Sequence, residues 1–230
     1  MNNISRRKLI TTGLAAAAGV AGLGAAAKIA GANGLIPPDS SGLFGPGESL
    51  TYAAQRALTR HSMAQEFSRD QISKKPFANE VDPLPKEFAA FQAGGFADWR
   101  LTVDGMVAHP RQFSLAQLKS GPNRSQITMV ACEEGWDYIA EWNGVPLNQI
   151  LLDVGAHPDA RYVVYQSIQP DWYESIDMYD ALHPQTILAT GMNGSDLPVA
   201  FGGPVRMRVP RQLGYKSVKY ITHVTVTDNL

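Results

Sequence analysis

The single cysteine of the chain, Cys132, is the residue whose type and setting point most directly to metal chemistry. It follows a strand-like apolar run, residues 126–131, so its sulfur is expected to project from the end of a strand into a cleft. A thiolate is a soft ligand that favours copper(I), zinc, iron or molybdenum over magnesium or calcium. No second cysteine exists, and no HExxH or His-x-His arrangement occurs, so an all-protein zinc site is not expected. The metal would need further ligands from an organic cofactor.

Two other interpretations of Cys132 stay open on the residues alone. A lone cysteine is often a small buried hydrophobe. A cysteine nucleophile would need a histidine base, for which His157, His183 and His223 are candidates only by default.

The elements that would position Cys132 follow from apolar spacing and turn residues. Strands are predicted near residues 101–107, with a turn at Asp104-Gly105, and at 126–131, 162–168, 205–209 and 221–227. Short helices are predicted from Ser114, ending at Gly121-Pro122, and over residues 145–154. Strands separated by short helices and irregular connections indicate an α+β fold with mixed β-sheets.

The N-terminal region has a different composition from this compact part. Residues 31–50 are rich in glycine, proline and serine, which is typical of a linker, and a short helix is predicted from Tyr52 to about Phe67. Prolines at positions 76, 83 and 85 indicate an extended passage. We therefore divide the chain into a signal segment (1–32), a linker and N-terminal extension (33–75) and a catalytic domain (76–230).

The first residues resemble a targeting segment. Ser5-Arg6-Arg7-Lys8 precedes an uncharged run of alanine, glycine and leucine over residues 9–27. Paired arginines before a weakly apolar run predict a twin-arginine export signal and a periplasmic location, tethered to the membrane if the signal is not cleaved. An ordinary secretory peptide or a membrane anchor is the alternative. Twin-arginine substrates typically cross the membrane folded, so a bound cofactor is expected.

The charge balance argues against nucleic acid as a partner. The chain has 20 basic and 21 acidic residues, and four of the basic residues lie in the signal segment, which contains no acidic residue. The remainder has a net charge near −5 and no stripe of lysine and arginine. No nucleic-acid partner is expected, and an anionic small molecule would need local positive charge.

Three ordered blocks resemble the molybdopterin-binding domain of the sulfite oxidase superfamily, and most closely periplasmic methionine sulfoxide reductase catalytic subunits. The first block is residues 129–136 (MVACEEGW) with Trp142, Gly144, Pro146 and Leu147. The second comprises residues 183–186 (HPQT), 188–194 (LATGMNG), 197–198, 203–206 (GPVR) and 209–210. The third, residues 214–219 (GYKSVK), resembles the loop that binds the pterin phosphate. The resemblance covers about residues 96–230.

The resemblance implies a molybdenum–molybdopterin cofactor, with Cys132 as metal ligand and catalytic residue, and two-electron oxygen-atom transfer to or from an S-oxide or N-oxide. It also implies a set of cofactor-binding residues: Asn79, Ser167, Arg206, Lys216, Ser217, Val218 and Lys219. The substrate would be a small-molecule or protein-bound oxide. No Cys-x-x-Cys-His haem motif occurs, so a separate electron-transfer partner is expected, for which the family suggests a membrane cytochrome b.

Two residues depart from the family pattern. Phe201 stands where relatives commonly carry histidine or asparagine, and the segment after Cys132 lacks the arginine that sulfite oxidases have there. Sulfite oxidation is therefore an alternative that the sequence does not favour. A non-catalytic exported module that binds an anion at residues 216–219 is the other alternative.

Overall fold

The computed structural model describes Ala25 and residues 45–59, 61–79 and 84–229. The chain divides into two compact units, Met1–Arg60 and His61–Leu230. Apart from Ala25, the described part of the first unit is helix α1 (Gly45–Thr59). Apart from Ala25, the predicted signal segment (1–32) lies outside the described residues, as does part of the predicted linker. Among the helices that are described, none is both long and apolar enough to cross a membrane.

The second unit contains a first sheet of five strands in the order β2-β1-β10-β5-β6. These strands are β1 (Arg100–Gly105), β2 (Arg111–Ser114), β5 (Tyr162–Ser167), β6 (Tyr173–Asp177) and β10 (Ile221–Thr227). Strands β1 and β10 run parallel, and the other neighbours are antiparallel. This sheet joins the C-terminal strand to the first strand of the domain.

A second sheet, entirely antiparallel, holds the segments that the resemblance singled out. Its order is β3-β4-β7-β8, with β9 also paired to β7. The strands are β3 (Arg124–Ala131), β4 (Asp137–Pro146), β7 (Ile187–Met192), β8 (Ser195–Asp196) and β9 (Arg206–Arg208). Both the cysteine segment and the Gly-Pro-x-Arg segment are therefore parts of one sheet.

The helices of the second unit are short: α2 (Lys86–Ala93), α3 (Leu115–Ser120), α4 (Leu147–Asp153) and α5 (Met178–Ala181). The N-terminus of α3 is a capping box, in which Ser114 Oγ accepts from the Gln117 amide at 3.2 Å and the Gln117 side chain accepts from the Ser114 amide at 2.8 Å. The predicted cap at Ser114 and the α+β class with mixed sheets and short helices are confirmed.

The two faces of the second sheet bury different groups. Met207 of β9 and Leu188 of β7 belong to the main hydrophobic core, which they share with strands of the first sheet such as β10. The opposite face carries a smaller cluster that includes Tyr138, Trp142 and Ala189. Since alternate residues of a strand point to opposite faces, Arg206 and Arg208 lie on the face opposite to Met207. The position of these two arginines is thus fixed by the pleat of β9.

The predicted helix from Tyr52 to Phe67 was wrong at both ends. The helix runs over Gly45–Thr59, so it begins within the predicted linker. Farther along, Glu66 forms a bridge with Thr128, and the amide of Phe67 donates to the carbonyl oxygen of Ile127 at 2.9 Å. Pairing with β3 satisfies backbone groups that a helix would otherwise satisfy, and it overrides a weak helical preference.

The bounds of two other predicted elements also need correction. The predicted helix at 145–154 begins only at Leu147, because Val145 is still paired with Leu188 in the sheet. The turn at Gly105 is present, with φ of 86°, and a Cβ there would lie 2.1 Å from the carbonyl oxygen of Val226. The chain after this turn forms a single bridge at Val107, and the antiparallel partner of β1 is β2.

Candidate cofactor site

Cys132 lies at the start of the tight connection between β3 and β4. Its amide donates to the carbonyl oxygen of Trp136 at 2.9 Å, and the amide of Gly135 donates to the carbonyl oxygen of Cys132 at 3.1 Å. The turn places the half-buried sulfur at the end of β3, in agreement with the position expected from the sequence. Cys132 lines a cleft with an empty volume of about 530 Å³.

The cleft gathers residues from five separate stretches of the chain. They are Asn79, Cys132, Glu133, Glu134, Trp136, Gln169, Trp172, Arg206, Gly214, Tyr215, Ser217, Val218 and Lys219. Six of the predicted site residues are thus brought together here: Asn79, Cys132, Arg206, Ser217, Val218 and Lys219. Segments more than 50 residues apart in sequence form one concave site.

Arg206 is held firmly and almost fully buried, with 3% of its surface exposed. Its Nε donates to the carbonyl oxygen of Ser217 at 2.8 Å, and its Nη1 donates to the hydroxyl of Tyr138 and the carbonyl oxygen of Phe201, both at 3.2 Å. The guanidinium lies 5.5 Å from the centre of the Trp142 ring. These contacts make Arg206 a buried group at the cleft and not a solvated charge on the strand surface.

Lys219 also presents a buried cation to the cleft. Its ammonium donates to the carbonyl oxygens of Asn79 at 3.0 Å and Ala200 at 2.8 Å. Burial, with a further contribution from Arg206, lowers the pKa of Lys219 to about 8. The left-handed backbone of Gly202, with φ of 106°, allows this packing, since a Cβ there would lie 2.9 Å from Lys219 Cβ.

Arg208 lies behind the cleft wall and is 1% exposed. Its Nη1 donates to Ser217 Oγ at 2.8 Å, and its Nη2 donates to Thr128 Oγ1 and the carbonyl oxygen of Met129, both at 3.1 Å. Burial, followed by repulsion from Arg206, lowers the pKa of Arg208 to about 9. It therefore remains a cation at neutral pH.

The three cations Arg206, Arg208 and Lys219 lack acidic partners within the part of the chain that the structure describes: no ion pair joins any of them to a carboxylate. The amides of Val218 and Lys219 likewise donate to no acceptor among the described residues. Buried charge without a partner costs several kcal/mol. An anionic group bound in the cleft would offset that cost.

The thiol of Cys132 itself faces negative charge. Its sulfur lies 3.3 Å from Glu133 Oε2 and 3.8 Å from Glu134 Oε2. Burial raises the pKa of the Cys132 thiol, and the two carboxylates raise it further. A thiol with a raised pKa is a poor nucleophile in the absence of a metal.

None of the three histidines considered as a general base lies at the cleft of Cys132. His157, His183 and His223 are all absent from the residues that line the cleft. His223 instead lies 2.8 Å from Asp104, and His183 is buried with its Nδ1 accepting from the Gln185 amide at 3.3 Å. The geometry does not support a cysteine–histidine nucleophile.

Two predicted cofactor contacts lie apart from the cleft. Ser167 lines a separate groove together with Arg100 and His223, and its hydroxyl accepts from the Gln169 amide at 3.1 Å. The ammonium of Lys216 lies 2.7 Å from Glu174 Oε2 and forms an ion pair with it. The structure brings neither side chain to Cys132.

Sequence reasoning missed several residues at the cleft. Arg208 shares the face of Arg206 because the two residues are two positions apart on β9, and that spacing was the available signal. The rim carries Trp136, Trp172 and Tyr215, of which Trp172 is 53% exposed. No periodic pattern distinguishes such residues from ordinary surface or core aromatics.

The cleft therefore defines a class of site: one soft sulfur ligand next to buried cations that suit an anionic group. The chain matches the oxidoreductase molybdopterin binding domain family over residues 89–230 and belongs to that family. The predicted membership of the sulfite oxidase superfamily and the predicted molybdopterin cofactor are confirmed.

Three relatives illustrate the family. The chain is 43% identical over 133 residues to the "Putative protein-methionine-sulfoxide reductase subunit YedZ1" of Azospira oryzae, which covers 58% of this chain and 50% of that protein. It is 29% identical over 186 residues to the protein-methionine-sulfoxide reductase catalytic subunit MsrP of Ralstonia nicotianae, covering 74% and 52%. The corresponding figures for MsrP of Xanthomonas axonopodis pv. citri are 28% over 211 residues, covering 85% and 61%. The chain thus spans about half to three fifths of the length of these relatives.

The fold is shared with a solved structure. The crystal structure of the sulfane dehydrogenase SoxCD from Paracoccus pantotrophus matches with a TM-score of 0.56 and 20% sequence identity, over 74% of this chain and 46% of that one. This match confirms the predicted sulfite-oxidase-like fold.

The residues present in the cleft fit a molybdopterin group. The thiol of Cys132 offers a soft metal ligand, and among the described residues no cluster of three or more histidine, cysteine, aspartate or glutamate side chains could hold a metal without help. The buried cations and the unpaired amides of Val218 and Lys219 suit a phosphate. A metal carried by an organic, anionic cofactor would use both the Cys132 thiol and the group of cations and amides.

Proposed function

We propose that this chain is the catalytic part of an exported molybdenum-cofactor oxidoreductase that reduces an S-oxide or N-oxide by two-electron oxygen-atom transfer. The single observation that carries the proposal is the shared cleft, in which the Cys132 sulfur faces the same space as Arg206 and Lys219. The relatives named as protein-methionine-sulfoxide reductases support an S-oxide as the substrate class.

Different residues of the cleft would bind the metal and the pterin phosphate. Cys132 would bind the metal, while Arg206, Lys219 and the amides of Val218 and Lys219 would hold the pterin phosphate. When bound, the cofactor supplies the oxygen-atom transfer chemistry, and the protein supplies orientation and electrostatics. Trp142 presents its ring to both buried arginines, with the Arg206 and Arg208 guanidinium carbons 5.5 and 4.9 Å from the ring centre.

The charge beside Cys132 favours a neutral oxide over an anion such as sulfite. Glu133 and Glu134 place two carboxylates within 4 Å of the sulfur, in a segment that lacks the arginine of sulfite oxidases. An anionic substrate approaching this wall would meet like charge, which raises the free energy of its binding. Sulfite oxidation is therefore the less favoured activity.

The rim of the cleft suits an oxide on a larger molecule. Phe77 packs against Trp136 with the ring planes tilted by 49° and the ring centres 5.1 Å apart, and Trp172 and Tyr215 complete an aromatic border that solvent reaches. Aromatic rings contribute large contact area at little cost in side-chain entropy. We therefore include a protein-bound oxide among the substrates.

Electrons would come from a separate partner, since the sequence has no haem-attachment motif. We propose a membrane cytochrome b for this role and a periplasmic location reached by the twin-arginine route. The paired arginines Arg6 and Arg7 support the route.

The proposal is tested on the full chain purified from a host that makes the cofactor. Molybdenum and pterin are measured per chain, and turnover is followed with a reduced viologen dye as electron donor. Methionine sulfoxide and trimethylamine N-oxide are the oxide substrates, and sulfite with ferricyanide is the competing assay. We expect molybdenum in the protein and turnover of an oxide well above that of sulfite.

The same experiment distinguishes the alternatives. A protein with molybdenum that turns over only sulfite would contradict the oxide assignment. A folded protein that binds phosphate but never contains molybdenum would identify a non-catalytic anion-binding module.

A further inference from the structure

Arg208 is a buried cation that the proposed mechanism does not use. It is 1% exposed, and among the described residues its contacts are the neutral oxygens of Ser217, Thr128 and Met129 together with the Trp142 ring, 4.9 Å away. Its Nε has no hydrogen-bond partner. A fully buried guanidinium with an unsatisfied donor opposes folding, so its presence calls for a compensating interaction.

The contacts of Arg208 determine how Ser217 can use its hydroxyl group. Ser217 Oγ accepts from Arg208 Nη1 at 2.8 Å and from the Val209 amide at 3.3 Å. A hydroxyl oxygen has two lone pairs and one hydrogen. With both lone pairs engaged, the hydrogen is the one remaining bonding capacity of this group.

Ser217 lines the Cys132 cleft, is 2% exposed, and its hydroxyl donates to no acceptor within the described part of the chain. The neighbouring amides of Val218 and Lys219 are also without acceptors there. Three consecutive residues that line the cleft thus each offer a donor without an acceptor among the described residues.

We propose that Arg208 is a positioning residue for anion binding in the Cys132 cleft, acting through Ser217. It fills the acceptor capacity of the Ser217 hydroxyl, so that this group donates to the bound anion. It also adds a positive charge that no described carboxylate neutralises. The inference rests on the proposed function in one respect, namely that the anion is the phosphate of the cofactor.

Arg208 also joins the two segments between which the cofactor would lie. Its Nη2 binds the carbonyl oxygen of Met129, three residues before Cys132, while its Nη1 binds the phosphate loop at Ser217. One side chain therefore ties the strand of the metal ligand to the loop of the phosphate. Loss of Arg208 would loosen both ends of the cofactor together.

The test compares Arg208→Gln, Arg208→Lys and the control Arg211→Gln in the full holoprotein. Arg211 is a second largely buried arginine, 3.4 Å from Asp180, and it does not line the cleft. Pterin and molybdenum per chain are followed during dialysis. We expect Arg208→Gln to lose pterin at least tenfold faster than the wild type, Arg208→Lys to retain part of the effect, and Arg211→Gln to match the wild type.

Melting temperatures separate positioning from a purely structural role. They are measured with cofactor and on full chains from a host that lacks it. If Arg208 acts on the anion, the temperature gain from the cofactor shrinks in Arg208→Gln. Equal falls with and without cofactor, or wild-type retention of pterin, would overturn the inference. Should Arg208→Gln not fold, the same comparison with Arg208→Lys decides.

Two further variants test whether Arg208 acts through Ser217 and whether the cleft binds the cofactor at all. If Arg208 acts through Ser217, the double variant with Ser217→Ala loses pterin less rapidly than the two single effects combined would predict. Fully additive losses would overturn that route. Arg206→Ala serves as the reference for the site. If it loses pterin while Arg208→Gln does not, only the role of Arg208 fails, and if both retain pterin the proposed cofactor site itself fails.

Discussion

Gly214 packs directly against Cys132: a Cβ on this glycine would lie 3.4 Å from the Cα of Cys132 and 3.3 Å from the carbonyl oxygen of Ala131. Gly214 opens the loop that continues to Ser217 and Lys219, so the start of the phosphate loop touches the turn of the metal ligand. The sulfur and the phosphate donors therefore border the same cleft. This contact explains how Cys132 and Gly214, with 81 residues between them in the sequence, can border one site for one cofactor.

Replacing the sulfur should remove the metal without unfolding the domain. Cys132→Ser exchanges a thiol for a harder, smaller hydroxyl at a half-buried position in a turn, so packing changes little. We expect oxygen-atom transfer to be abolished and molybdenum per chain to fall, while circular dichroism and the melting temperature of the cofactor-free chain stay near wild type. Wild-type turnover in this variant would show that the metal has another ligand.

The cations should contribute unequally to cofactor retention. Arg206→Ala and Lys219→Ala each remove charge-assisted hydrogen bonds, worth roughly 1.5–3 kcal/mol apiece. At 1.4 kcal/mol per factor of ten, each variant should retain the cofactor about tenfold less well or worse. Lys216→Ala is the matched control, because its ammonium pairs with Glu174 away from the cleft. The measurement is pterin and molybdenum per chain after dialysis, and a loss in Lys216→Ala equal to that in Arg206→Ala would contradict the geometry.

Cofactor retention should also depend on pH, because Lys219 changes its protonation state. Its pKa in the folded chain is about 8, against 10.5 for an ordinary lysine, because burial and Arg206 disfavour the charged form. Between these values the unfolded chain binds a proton that the folded chain does not, so the cofactor-free protein gains stability as pH rises through this window and loses it as pH falls through 8. Binding of the anion needs the charged form, so cofactor retention should change in the opposite direction and weaken above pH 8.

Other charged groups near Lys219 also affect its protonation. Arg206 opposes its protonation, and the carboxylates of Glu133 and Glu134 lie in the same cleft. In Lys219→Met the weakening of cofactor retention above pH 8 should disappear, as measured by pterin released from holoprotein between pH 6.5 and 9.5. Identical pH profiles for Lys219→Met and wild type would assign the dependence to another group.

The backbone at Gly202 should tolerate no side chain. Its φ of 106° is strained for any other residue, and a Cβ would lie 2.9 Å from Cβ and Cγ of Lys219. Non-glycine residues in such conformations cost about 1–3 kcal/mol. Gly202→Ala should therefore lower the free energy of unfolding by that amount and reduce cofactor retention as Lys219 is displaced. Denaturant unfolding and pterin content check both effects, and Gly194→Ala is the control with a positive φ of 79° and no atom nearby.

The sequence was informative where one residue type has few alternative uses. Cys132 could be placed at a strand end from the apolar run that precedes it and from its being the single cysteine of the chain. Arg206 and Lys219 were identified through the resemblance of residues 203–206 and 214–219 to the family. The C-terminal strand was predicted with its observed bounds, Ile221–Thr227, since all of its residues except His223 are β-branched.

Other features depend on contacts that no local pattern contains. Strand β7, residues 187–192, is entirely buried but lacks the alternation of apolar and polar residues that marks a half-buried strand, and only Ile187 and Thr190 are β-branched. The ion pair that draws Lys216 away from the cleft depends on Glu174, which lies 42 positions earlier in the chain. Likewise, pairing of Glu66 and Phe67 with β3, not helical spacing, sets the course of the N-terminal extension.

Export should depend on the paired arginines that precede the described part of the chain. Arg6 and Arg7 stand directly before an uncharged run of alanine, glycine and leucine, the arrangement that a twin-arginine translocase reads. The double substitution Arg6→Lys, Arg7→Lys keeps the charge but removes the guanidinium groups. We expect the double variant to stay in the cytoplasm with its cofactor bound, as shown by fractionation and by molybdenum in the cytoplasmic protein. The single variant Lys8→Arg, which keeps both arginines, is the control and should be exported normally. Appearance of the double variant outside the cytoplasm at wild-type levels would mean that a different route carries the chain.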